Sequence, residues 1–236
     1  MERFINFSQI KLTMIDVRTR GFYFFSLEDG MALKRLENEG YRPLFLPDIV
    51  KTRIDDDVAF ELGGTCGIWE NEVDSVSIRA TGRTKRGNPV VVYAHVPNYF
   101  SESKNLLDTI INKRLINGAG ILPRKEFQRL LKLEDNHNVH AIDYYKTKAM
   151  NQVEMSLKRA FEHPETWDFL GGDVLARYYL NKHKSKYFLE HKITFNLADD
   201  LTDEPVARLL GLGKRIFSSL NGDSPLSRPY KFIGIK

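Results

Sequence analysis

The feature that most constrains the fold is a pair of strand-like segments, residues 73–80 and 90–96, on either side of a turn-like run. Residues 73–80 alternate in character, with Val76 and Ile78 on one face and Ser75 and Ser77 on the other, as expected of a strand. The intervening run TGRTKRGNP contains two glycines and a proline, which is typical of a turn. Residues 90–96 are almost all apolar, as in a strand buried on both faces. The sequence therefore predicts a central β-hairpin.

Around this hairpin, apolar runs alternate with segments of helical periodicity. The remaining predicted strands are residues 10–17, 21–26, 43–47, 139–145, 191–198 and 230–235, and the predicted helices are 31–40, 54–64, 101–115, 123–134, 151–162, 164–170, 173–184 and 205–213. We read residues 218–229 as a loop. This order predicts an α/β (or α+β) protein, a mixed sheet whose hairpin is flanked by amphipathic helices. We expect one compact domain over 1–236, with a possible subdivision near 118–123 into 1–117 and 123–236.

Composition limits the cellular setting. The chain is 42% hydrophobic and 28% charged, and its formal net charge of +4 permits an anionic partner without requiring one. The single cysteine, Cys66, excludes an internal disulfide and a cysteine-based zinc site. We see no targeting segment and no apolar run long enough to span a membrane. We therefore expect a cytoplasmic protein with no membrane partner.

The hairpin and its turn carry four cationic side chains within eight residues, Arg79, Arg83, Lys85 and Arg86. A basic hairpin tip can lie along a phosphate backbone, where each cation neutralises a phosphate and releases a counterion. The alternative is a solvated turn whose polar residues are basic and have no partner. The first interpretation predicts that these four residues bind nucleic acid.

The same hairpin carries Glu72 and Asp74 at its first strand, and Tyr93 and His95 near the end of its second. This layout resembles the core of the restriction-endonuclease-like nucleases, where an acid, a hairpin and an apolar strand ending in acid-x-lysine hold a divalent metal. The resemblance implies that Asp74 binds Mg or Mn. Under this nuclease alternative Glu72 is a further ligand, and His95 acts as a base or an orienting residue. Tyr93 and His95 stand where the second acid and the lysine would be, which implies a reduced site. The alternative is a strand-edge carboxylate and a hydrogen-bonded histidine.

Aspartates also follow several apolar runs, at Asp16, Asp48, Asp143 and Asp199. The carboxyl ends of parallel strands face a common crevice, so these carboxylates could converge on a magnesium ion. Aspartate is equally suited to capping a helix or ending a strand. The sequence leaves both alternatives open.

The sequence is compatible with three candidate functions. The first is a non-enzymatic binding or assembly protein of the cytoplasm that contacts nucleic acid through the basic hairpin. The second is a nuclease or phosphoryl-transfer enzyme that uses Asp74 and His95 with Mg or Mn. The third is a structural subunit that contacts protein partners or self-associates through its aromatic residues. No cofactor is expected for the first and third.

Overall fold

The computed structural model describes residues 23–27, 31–61, 72–134, 138–147, 153–186, 192–213, 219–228 and 230–235, with residues 23–27, 55–61, 164 and 182–186 described by their backbone. The strands are β1 (Tyr23–Leu27), β2 (Arg42–Pro43), β3 (Val73–Arg83), β4 (Pro89–Ala94), β5 (Leu115–Ile116), β6 (Ala119–Ile121), β7 (Val139–Asp143), β8 (Val153–Ser156), β9 (Lys192–Leu197), β10 (Val206–Leu212), β11 (Ser219–Gly222) and β12 (Tyr230–Ile235). The α-helices are α1 (Met31–Asn38), α2 (Leu46–Glu61), α3 (Ser103–Ile111), α4 (Arg124–Leu131), α5 (Tyr144–Thr147), α6 (Leu157–Glu162), α7 (Pro164–Leu170) and α8 (Asp173–Lys186).

The sheet is organised around two long neighbouring strands, β3 and β10. At its start β3 lies between β12 and β10, whereas residues 78–83 of β3 also pair with β4. Similarly, β10 pairs with β6 near its start and with β11 near its end. Two strand orders therefore share this pair, β1-β12-β3-β10-β11-β9-β8 and β7-β4-β3-β10-β6-β5. The pairs β12–β3 and β11–β9 are parallel and the others are antiparallel, so the predicted mixed sheet with helices is confirmed.

The predicted hairpin is the β3–β4 pair, in register from Ile78 opposite Ala94 to Arg83 opposite Pro89. Its turn is closed by the Thr84 amide, which donates to the Asn88 carbonyl at 2.9 Å. Residues 91–94 are buried, as expected of a strand covered on both faces. The hairpin is thus central, as the sequence predicts.

Two apolar cores lie on opposite sides of the sheet because side chains alternate along each strand. Val73 and Tyr93 belong to the first core, beneath α2, α6, α7 and α8. Val76 and Ile78 belong to the second core, beneath α1, α3 and α4. The chain therefore has one layer of helices on each side of the β3–β4 region.

Helix α7 is fixed by residues that a sequence can show. Pro164 occupies its first turn, where the missing amide hydrogen is not needed. Gly171 ends it with a φ of 90°, a left-handed conformation suited to glycine. A Cβ at Gly171 would lie 2.4 Å from Pro47 Cγ, so glycine also permits the close approach of α2.

Several secondary-structure predictions are wrong. Residues 206–212, predicted as part of a helix, form β10, all of whose residues are buried. A short run of apolar residues buried on both faces does not distinguish a helix from a central strand by periodicity. Residues 153–156 form β8 instead of the start of a helix, and residues 219–222 form β11 within the predicted loop.

The region before the hairpin also differs from expectation. The predicted strand 43–47 is reduced to β2, and α2 begins at Leu46 rather than near the aspartates at 55–57. Asp48 lies in the first turn of α2, where a carboxylate is stabilised by the helix dipole. The predicted strand 10–17, Cys66 and Asp16 lie outside the described residues. In the described ranges no helix is both long and apolar enough to cross a membrane.

Candidate functional site

Glu72 and Asp74, the two acids predicted to hold a metal, lie together against a guanidinium group. Asp74 Oδ1 accepts a hydrogen bond from Arg228 Nη2 at 2.5 Å, and Asp74 Oδ2 accepts one from the Lys231 amide at 2.9 Å. Glu72 Oε1 lies 3.6 Å from Arg228 Nη1. The two carboxylates therefore contact a cation, which is an arginine of the same chain.

Burial dominates the ionisation of Asp74, which is 2% exposed. Removing the carboxylate from water raises its pKa to about 6, against the opposing effects of Arg228 and the Lys231 amide. Each oxygen of the buried Asp74 carboxylate therefore has a hydrogen-bond donor, the Arg228 guanidinium for one and the Lys231 amide for the other.

His95 lies on the other face of the sheet. Its Nε2 donates to the Asp168 carbonyl at 2.8 Å, so Nδ1 is the acceptor for Ser77 Oγ at 2.9 Å. Burial lowers the pKa of His95 to about 4. Because Asp74 and Ser77 are three residues apart on β3, they project to opposite faces. The structure does not bring Asp74 and His95 together.

The four predicted nucleic-acid-binding residues also separate. Arg83, Lys85 and Arg86 are exposed at the turn, and Arg83 Nη1 donates to the Gly87 carbonyl at 3.1 Å. Arg79 is only 1% exposed. It donates from Nε to Tyr93 Oη at 3.3 Å and from Nη1 to the Ala198 carbonyl at 3.0 Å. Arg79 therefore belongs to the interior and not to the tip.

Arg79 is one member of a row of polar residues that crosses four strands. Residues directly opposite each other on neighbouring strands share a face, and the register places His140, Tyr93, Arg79 and Arg208 in one line. The side chain of each of these four residues forms a hydrogen bond or an ion pair with α7 or with the segment that follows β9. The row therefore joins the sheet to the layer above it.

Two contacts in this row are particularly tight. Tyr93 Oη donates to Glu165 Oε1 at 2.5 Å, and burial raises the pKa of Glu165 to about 6. Arg208 binds Asp200 through two hydrogen bonds, from Nε at 2.8 Å and Nη2 at 2.9 Å. Bidentate pairs of this kind fix orientation as well as distance. Their burial points to a role in positioning α7 and the segment 198–204.

The aspartates that follow apolar runs do not form a metal site in the described part of the chain. Asp143 Oδ1 accepts from the Tyr145 amide at 2.9 Å, and Asp199 accepts from Tyr144 Oη. Among the described residues, no group of three or more His, Cys, Asp or Glu side chains is placed to hold a metal ion. Asp143 and Asp199 instead order the turns that follow β7 and β9.

A polar face of the sheet lies on β8, β9 and β11, and we call it the outer face. Its side chains lie opposite one another in the sheet and point away from the first core; they are Glu154, Thr194, Asn196, Ser219 and Asn221. Ile193, Phe195 and Leu197 alternate with them and are buried beneath the helices. This is the alternation of a sheet with one apolar and one polar face. The polar face is only partly open to solvent, because Glu154 is exposed whereas Asn221 is buried.

Residues 223–228, which we call the C-terminal loop, border the outer face. The loop is held largely through main-chain atoms: Arg208 Nη1 donates to the Asp223 carbonyl at 2.9 Å, and Tyr230 Oη donates to the Pro225 carbonyl at 2.9 Å. The Leu226 amide donates to the Gly118 carbonyl at 2.8 Å. Ser227 is exposed and Ser224 is half-buried. These backbone contacts therefore do not involve the side chains of Ser224 and Ser227.

A chain of polar contacts connects the outer face to the C-terminal loop. Asn196 Nδ2 donates to Asn221 Oδ1 at 2.8 Å, and Asn221 Nδ2 donates to Glu72 Oε1 at 3.2 Å. Glu72 in turn faces Arg228. Sequence reasoning missed this surface because β10 was read as a helix, although the alternation in residues 193–197 is visible in the sequence.

Comparison with solved structures gives one strong similarity. It is to a protein described as showing the accommodation of massive sequence variation in Nanoarchaeota by the C-type lectin fold. The two chains superpose with a TM-score of 0.80 and 38% sequence identity, over 94% of this chain and 100% of the other. A scan against models of protein families and a search of curated proteins found no match.

This similarity contradicts the functions predicted from the sequence. The relative, which extends over nearly the whole chain, has a lectin-type fold and not that of a restriction-endonuclease-like nuclease. Nucleic-acid binding through Arg79, Arg83, Lys85 and Arg86 has no support in it, and neither has a nuclease centre at Asp74 and His95. The thirty-residue resemblance was misleading because a hairpin with one acid occurs in many folds.

Proposed function

Because this chain belongs to the C-type lectin-fold family of that Nanoarchaeota protein, we propose that it is a partner-binding protein whose contact surface is the outer face with the C-terminal loop. The relative is described as accommodating massive sequence variation. A fold that accommodates variation needs a backbone whose shape does not depend on the varied side chains. The C-terminal loop has this property, and it is the observation that carries the proposal.

The way the loop is anchored supports this role. Its carbonyl and amide groups are held by Arg208, Tyr230 and Gly118, which lie outside the loop. Substitution of Ser224 or Ser227 removes none of these contacts. A rigid scaffold that carries adaptable polar side chains is also the arrangement that antibody loops use to recognise partners.

The chemistry of the outer face favours a protein partner. Its described residues are hydroxyl, amide and carboxylate side chains, which suit hydrogen bonding to another protein surface. None of the residues that define the outer face is aromatic, so it offers no ring for stacking against a sugar. We therefore place a protein before a glycan as the partner.

Arrayed peptides and glycans test this proposal with the whole chain. We expect the wild-type chain to bind members of the peptide array and the Ser227→Arg variant to lose this binding by at least about tenfold, equivalent to about 1.4 kcal/mol. Asn38→Arg, on the exposed face of α1, adds the same side chain elsewhere and is the matched control. Absence of specific binding, or binding that survives Ser227→Arg, would overturn the proposal; loss restricted to glycans would change the partner class.

A further inference from the structure

The C-terminal loop closes over one buried carboxylate. Asp74 lies on β3 opposite Gly211 of β10, and a Cβ at Gly211 would come within 3.0 Å of Asp74 Oδ1. Both oxygens of Asp74 are used, one by the loop residue Arg228 and one by the Lys231 amide of β12. The carboxylate therefore connects the central strand to both ends of the segment that leads from the loop into β12.

Arg228 is held from three sides. Asp74 receives its Nη2, Glu72 lies 3.6 Å from its Nη1, and the ring of Tyr230 lies 5.0 Å from its guanidinium carbon. An arginine placed between a buried carboxylate and an aromatic ring has both a fixed direction and a fixed plane. Because Arg228 is the last residue of the loop, fixing it sets the path of the residues before it.

The remaining contacts tie the loop to the rest of the chain at other points, whereas at this end the Arg228 amide donates within the loop, to the Pro225 carbonyl at 3.1 Å. The Asp223 carbonyl is held by Arg208, and Leu226 is held by Gly118 and by the second core. Ser227 lies between Leu226 and Arg228, and its side chain is exposed. The Asp74–Arg228 contact is therefore the one that ties this end of the loop to the central strand.

We propose that Asp74 is a positioning residue for partner recognition: through Arg228 it holds the C-terminal loop in the one conformation that presents Ser227 beside the outer face. This inference rests on the proposed function for its meaning, but its structural content can be tested without any partner. Asp74 and Glu72, which the sequence predicts as metal ligands, therefore contact the guanidinium group of Arg228 instead.

Hydrogen–deuterium exchange of the full chain tests the contact directly. In Asp74→Asn, which keeps the size of the side chain and removes its charge, we expect the amides of residues 223, 224 and 226–228 to exchange at least about tenfold faster through local unfolding. Amides in β9 and in the β3–β4 hairpin should exchange as in the wild type. Asp203→Asn, an exposed carboxylate, is the matched control. Unchanged exchange in the loop, or an equal increase over the whole sheet, would overturn the proposal.

Chemical rescue keeps the test decisive if Asp74→Asn fails to fold. Arg228→Gly leaves the carboxylate in place and removes the guanidinium, so the loop amides should lose protection. Millimolar guanidinium ion, well below denaturing concentrations, should restore that protection, whereas the same concentration of sodium or tetramethylammonium should not. Lack of rescue, or rescue by every cation, would overturn the proposal. If guanidinium does not restore protection, the result of the peptide array is unaffected. If the array shows no specific binding, the result of the rescue is unaffected. The two proposals can therefore be refuted independently.

Discussion

At the scale of single residues, buried ionisable groups link the stability of this fold to pH in opposite directions. His95 is a base whose pKa burial lowers to about 4, whereas Glu165 is an acid whose pKa burial raises to about 6. In both cases the neutral form is the one that the folded protein favours. Acidification therefore destabilises the fold through His95 and stabilises it through Glu165.

For His95, the folded protein binds a proton less readily than the unfolded chain, whose histidine has a pKa of about 6.5. Its contribution to stability is present above pH 6.5 and is lost as the pH falls toward 4, by about 3 kcal/mol in all. In His95→Gln, Nε2 can still donate to the Asp168 carbonyl, so we expect a smaller loss of stability between pH 7 and pH 4. Urea unfolding of both proteins at several pH values measures this difference; parallel curves would contradict it.

For Glu165 the sign is reversed. The folded protein binds the proton more tightly than the unfolded chain, so the stability due to this group is present below about pH 4.5 and is lost as the pH rises through about 6. We expect Glu165→Gln to raise the stability relative to wild type by about 2 kcal/mol at pH 8, less the value of a weakened hydrogen bond to Tyr93. At pH 4 the variant should show no gain. Melting temperatures at the two pH values decide this, and an equal shift at both would refute it.

At the scale of secondary-structure elements, predictability follows the strength of local signals. The hairpin, α7 and α8 could be predicted because a turn, a proline or a closing glycine marks their ends. Strand β10 could not, because it is covered on both faces and its leucines satisfy a helical and an extended pattern alike. The outer face could not be predicted either, because its position depends on how β9, β10 and β11 pair with one another, which local sequence patterns do not show.

Arg208 gives β10 a second role, as the anchor of three segments. It binds Asp200, the Asp223 carbonyl and the Asn117 carbonyl at 2.6 Å, and its side chain is 3% exposed. We expect Arg208→Met to destabilise the protein by about 3–5 kcal/mol, because the buried Asp200 carboxylate would lose its partner. The double variant Arg208→Met/Asp200→Leu should recover part of this loss. Chemical denaturation of the four proteins in the cycle measures the coupling; additive effects would contradict it.

At the scale of the whole molecule, we distinguish a buried scaffold from the surface that we propose contacts a partner. The two cores and the row of buried polar contacts hold the sheet between its helices. The outer face and the C-terminal loop lie at one side of this scaffold. The fold class was predictable from the order of elements, whereas the outer face required the sheet order. The cytoplasmic location and the possible subdivision near residues 118–123 stay predictions.

This separation predicts where substitutions are tolerated. Replacing Ser224 or Ser227 with each of the other residues except proline should shift the melting temperature by less than about 3 °C, since neither side chain anchors the loop. Thr109, which is fully buried and whose Oγ1 donates to the Asn105 carbonyl at 2.8 Å, should tolerate few replacements. A substitution scan scored by resistance to proteolysis compares the positions, and equal tolerance at Thr109 and Ser227 would contradict the separation.

The placement of β12 has a consequence for how the chain is made. Strand β12, Tyr230–Ile235, lies between β1 and β3, so β1 has no partner in the described sheet until this distant strand has been synthesised. Contacts between residues this far apart in sequence slow folding, and a nascent chain that lacks β12 presents two strand edges to its neighbours. Until β12 has been made and placed between them, β1 and β3 therefore remain unpaired edges that are open to aggregation.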